Sequence, residues 1–62
     1  MAASIYIASL ASELVRMGRT VECVEPAKGK IKFISNSGHR VSIHARWTRG
    51  GKLKITETSI PV

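Results

Sequence analysis

From Lys30 to Ile55, cationic and apolar residues take turns along the chain. Lys30 and Lys32 alternate with Ile31 and Phe33. Arg40, Ser42, His44 and Arg46 alternate with Val41, Ile43, Ala45 and Trp47, and Lys52 and Lys54 with Leu53 and Ile55. An extended strand sends successive side chains to opposite faces, so a period of two separates these residues completely. Three such strands side by side make a sheet that is apolar on one face and positive on the other. The apolar face must be covered, and a single further layer is enough.

The cover lies upstream. Ser4 to Met17 reads as an amphipathic helix, with Tyr6, Ile7, Leu10, Ala11, Leu14, Val15 and Met17 on one broad face and Ser9, Ser12, Glu13 and Arg16 on the other. Ser4 suits the N-cap, Arg16 the last turn and Gly18 the left-handed C-cap. After Gly18 the period changes from 3.6 to 2. Thr20 to Glu25 forms a first strand ended by Pro26, and Lys28-Gly29 turns into a second over Lys30 to Ser35. Ser35-Asn36-Ser37-Gly38-His39 is turn chemistry throughout. A third strand follows over Arg40 to Trp47, and Arg49-Gly50-Gly51 closes a hairpin into a fourth over Lys52 to Thr58. Pro61 is expected to leave Ile60-Pro61-Val62 outside the ladder. The fold class predicted is α+β: one helix packed on a three- to four-stranded antiparallel meander, in a single domain spanning residues 1–62.

A chain of 62 residues buries only about 60% of the surface its unfolded form exposes, so its stability is marginal without help. Cys23 is the only cysteine and cannot form an internal disulfide, and a lone thiol suits a reducing compartment. Association, most simply as a homodimer, is the expected supplement. Val24 and Ile34, expected side by side on the outward face, and the edge strand after Gly51 are the candidate contacts. The first fourteen residues are moderately apolar, but Ser4, Ser9, Ser12 and Glu13 interrupt them and no basic residue leads them. No membrane span or secretory signal is expected, and a cytoplasmic location follows.

The net charge of +6 and the pI near 10.3 favour an anionic partner. Between Pro26 and Thr56 stand eight Lys or Arg residues and two histidines, with no Asp or Glu. Lys30, Lys32, Arg40, His44, Arg46, Lys52 and Lys54 share the outward face, with Lys28 and Arg49 at the turns. An ordinary solvated face mixes charge signs. Here like charges are expected to oppose one another across strands with no acid between them, which destabilises the free protein until a counter-charge arrives. Neutralising roughly five to seven phosphates would give a log–log salt slope on duplex DNA of about −5 to −6. Arg40 and Arg46 could also fork onto guanine edges. Phe33 and Trp47 fall in the core phase and Tyr6 at the edge of the helix stripe, so base-stacking platforms are disfavoured and backbone or groove binding is preferred.

Chemistry beyond binding is thinly represented. His39 and His44 differ by an odd number and take opposite phases, and Glu22, Glu25, Glu57 and Cys23 form no ligand spacing, so no metal or other cofactor is expected. His44, set among Lys32, Arg46 and Lys54, is a candidate general base on a phosphodiester. The order of elements resembles, in architecture alone, small mRNA-cleaving toxins of the double-stranded-RNA-binding type, although the second helix of such domains is missing. No Ser–His–Asp set, phosphate loop or carboxylate pair is present, and the chain is expected not to be an enzyme. The leading expectation is a small DNA- or RNA-binding protein, accessory or regulatory in role, of the sort a phage or plasmid carries. The alternative is a module or inhibitor that docks on an acidic protein surface.

Overall fold

The computed structural model describes residues 3–61. Helix α1 (Ala3–Arg16) is followed by strand β1 (Val21–Glu25), a single 3₁₀ turn (Pro26–Lys28), and strands β2 (Lys30–Ile34), β3 (His39–Trp47) and β4 (Leu53–Pro61). The strands form one antiparallel sheet in the order β1-β2-β3-β4, with α1 on one face, so the architecture is α+β as the periodicity predicts.

Ile7 and Leu14, two turns apart on α1, bury against Ile31, Val41, Ile43 and Ala45 of the sheet. Ala3, Tyr6, Leu10 and Ala11 pack beside them, as do Val21, Phe33 and Leu53. The covered stripe is narrower than the helix wheel suggests: Val15 is 66% exposed and Met17 lies in the turn after the helix, also exposed. Gly18 ends the helix at φ +78. Arg19 N–H donates to Leu14 O at 2.9 Å and Gly18 N–H to Val15 O at 3.0 Å, the paired bonds of a Schellman close. Ser4, read as the N-cap, lies inside the helix.

Two features of the sheet depart from expectation. A bulge at Glu22 shifts the phase of β1: Val21 opposes Phe33, but Cys23 opposes Lys32, Val24 opposes Ile31 and Glu25 opposes Lys30. Val24 is therefore on the helix side, not beside Ile34, while Glu22 and Glu25 both arrive on the outward face. At the other end, β4 runs on through Ile60 to Pro61, which opposes His39. Thr48 N–H donates to Lys52 O at 2.8 Å, and the register keeps even-numbered residues of β4 in hydrogen-bonded pairs with β3. Odd-numbered residues then point their backbone groups to the free edge. Pro61 is odd, so the N–H it lacks belongs to the side that pairs with nothing.

The helix packs on the 3₁₀ turn, β1, β2 and β3, and hardly on β4. Trp47, expected in the core, is 44% exposed for that reason, and Ile55 is 46% exposed. Both lie on the helix side of the sheet, beyond the reach of α1.

Candidate nucleic-acid interface

The antiparallel registers fix which outward residues are neighbours. One row across the sheet reads Glu25, Lys30, His44, Thr56, and the next reads Cys23, Lys32, Ser42, Thr58. A third joins Ile34, Arg40 and Ile60, and at the opposite end Arg46 faces Lys54. Each row follows from the alternation in sequence, because partners in an antiparallel pair share a face. All of these strand residues are exposed or half-buried.

The acids delivered by β1 divide the nine candidate residues. Glu22 Oε1 accepts from Arg40 Nε at 2.7 Å and Oε2 from Arg40 Nη2 at 3.3 Å, a forked pair. That hydrogen bond, with the charges of Arg40 and Lys32, holds the Glu22 carboxyl below the ordinary glutamate range, and Arg40 is held more firmly protonated in return. Lys28 pairs with Glu25 at 3.3 Å, and Glu25 also faces Lys30. The expectation that no acid stands among the cations is therefore wrong on the β1 side: Glu22 follows inward-facing Val21 and faces outward by simple alternation, and the bulge rephases Glu25 to the same face.

On the β3–β4 side it holds. Arg46 faces Lys54 directly, Lys52 lies across from Thr48, and Arg49 occupies the connecting turn. Among the described residues none of these four has an acidic partner. The turn is drawn tight by Gly51 N–H donating to Thr48 O at 3.1 Å and Lys52 N–H to Thr48 Oγ1 at 3.2 Å, so the four cations cluster at one end of the sheet. Lys32, opposite Ser42, links this end to the paired region.

Sequence reasoning overlooked the middle of the face. Ser42, Thr56 and Thr58 stand between longer side chains and line a depression of about 160 Å³ together with Lys30, Ile31, Ile43 and His44. The outward phase of Ser42 was legible, but Thr56 and Thr58 become its neighbours only through the β3–β4 register. The two histidines separate as their spacing requires. His39, read from the sequence as a turn residue, is instead the first residue of β3, and its Nδ1 bonds Oγ of Ser37 in the preceding turn at 2.9 Å, while His44 stands exposed on the outward face. Among the described residues no three His, Cys, Asp or Glu side chains cluster as metal ligands, and Cys23 is an exposed free thiol. No described helix is long and apolar enough to cross a membrane. Compared with known protein families, curated proteins and solved structures, the chain matches none.

Proposed function

We propose that this chain is a small, non-enzymatic nucleic-acid-binding protein that sets the β3–β4 end of its cationic face against phosphates. One observation carries the reading: Arg46, Arg49, Lys52 and Lys54 gather at one hairpin, Arg46 and Lys54 as direct cross-strand partners, with no acid among them. Like charges so placed repel in the free protein and are relieved by a polyanion. Arg40 and Lys28, already paired with glutamates, contribute less, and Lys30 and Lys32 extend the track towards β1.

Four phosphates neutralised in place of the five to seven expected from composition would lower the log–log salt slope on duplex DNA to about −4. Fluorescence anisotropy of labelled duplex DNA, single-stranded DNA and duplex RNA at two salt concentrations tests this. Binding that weakens with salt, and that Arg46→Ala/Lys54→Ala reduces at least tenfold while Arg40→Ala changes it less, supports the reading. Absence of binding to all three at low salt would overturn it and make the cationic hairpin a docking feature for an acidic protein.

A further inference from the structure

The two edges of the sheet are built differently. At β1 the edge strand is five residues long, is broken by the bulge at Glu22 and stops at Pro26, all features that discourage another strand from pairing. At β4 the edge strand is nine residues long, and its register with β3 is unbroken from Leu53 to Pro61. Its backbone groups at Leu53, Ile55, Glu57 and Ser59 point outward by the parity already described, and its side chains carry only one cation and one anion, Lys54 and Glu57.

We propose that β4 pairs antiparallel with β4 of a second copy, about a two-fold axis through Thr56, to give a continuous eight-stranded sheet. A two-fold axis perpendicular to the sheet keeps the faces aligned, so a residue can oppose only one of its own parity. Centred on Thr56, Leu53 opposes Ser59 and Ile55 opposes Glu57, each twice by symmetry. All of these residues have outward backbone groups, which makes four doubly hydrogen-bonded pairs. Centring on Glu57 would set two carboxylates against each other and bring Pro61, which has no N–H, opposite Leu53. Centring on Ile55 or Thr58 leaves fewer doubly bonded pairs. The Thr56 register also opposes Lys54 to Thr58, so no like charges meet, and it makes the two exposed Ile55 side chains diagonal neighbours on the helix side. A core of six buried apolar residues among those described leaves the chain in need of such support.

The pairing stands without the nucleic-acid reading, but it bears on it, because both cationic faces would lie on the same side of the joined sheet. Salt separates the two. Screening the charge of +6 on each copy strengthens the dimer, whereas phosphate binding weakens. Sedimentation equilibrium of the full chain, without nucleic acid, is expected to give twice 6.8 kDa, more completely as salt is raised. Thr56→Lys and Thr56→Glu should each weaken association at least tenfold, and mixing them should restore it. Glu57→Pro removes an outward N–H and, with it, the carboxylate, while sparing every bond to β3, and should yield a folded monomer by circular dichroism. In a Cys23→Ser background, Thr56→Cys should cross-link under mild oxidation and Thr58→Cys should not. A wild-type chain that stays monomeric at high salt would overturn the proposal. So would a dimer indifferent to the Thr56 charges, or preferential cross-linking through position 58.

Discussion

Glu22 and Glu25 show how one inserted residue brings two side chains of opposite parity to one face. The bulge brings Glu25 to the outward face that Glu22 already occupies, and there the Arg40 fork lowers the Glu22 pKa. A group with a depressed folded pKa adds stability that is fully present above its unfolded value and is lost as pH falls through the folded value. Acid unfolding of the native chain should therefore carry a component below the ordinary glutamate range, and Glu22→Gln should remove it in a urea titration repeated across that range. The pair is partly exposed, so the effect on neutral-pH stability should be small. Gly29 is the opposite case, a residue whose replacement should be severe. It sits at φ +68 with its carbonyl accepting from Ala45 N–H at 2.8 Å, and a Cβ added there would overlap the Ala45 carbonyl oxygen. Gly29→Ala should lose about 1–2 kcal/mol to left-handed strain alone, and more as β3 is pushed away, measurable by chemical denaturation.

At the scale of elements, α1 and β4 divide the apolar residues unequally. A helix of fourteen residues spans about 21 Å, while the nine-residue strands β3 and β4 reach about 30 Å. The helix cannot shield the whole ribbon, and it settles over β1, β2 and β3, where Ile7 and Ile31 are almost fully enclosed. Ile31→Ala should therefore destabilise by about 2–5 kcal/mol, enough to unfold much of so small a chain. Ile55→Ala should change monomer stability by well under that amount, since its side chain is nearly half exposed. Denaturant midpoints of the two variants check the contrast. The sequence pattern treats Ile31 and Ile55 alike, because alternation reports a face and not how far the covering layer extends.

For the molecule as a whole, the consequence is a flat body, 35 × 22 × 14 Å, with its charge displaced towards one end. The pairing of Glu22 with Arg40 and of Glu25 with Lys28 concentrates the uncompensated cations at the β3–β4 hairpin. Removing Arg46 and Lys54 together should thus raise thermal stability slightly at low salt while weakening any polyanion binding, an opposition that a melting curve with and without heparin would register.

Local order was determined by the amino-acid sequence itself. The helix from its apolar stripe and Gly18, the strands from their alternation, and the turns from Gly, Asn and Ser are each properties of a few neighbouring residues. The separation of His39 from His44 is of the same kind, since parity along one strand needs no partner. Tertiary structure decided what depends on pairing between strands. The bulge that brings Glu25 to join Glu22 among the cations, the gathering of Ser42, Thr56 and Thr58 around one depression, and the tolerance of Pro61 in β4 all follow from register. A register is set by contacts between residues distant in sequence, with the helix covering one face and leaving one edge open. No window along the chain contains that information, because each strand satisfies its own alternation equally well wherever its neighbour begins.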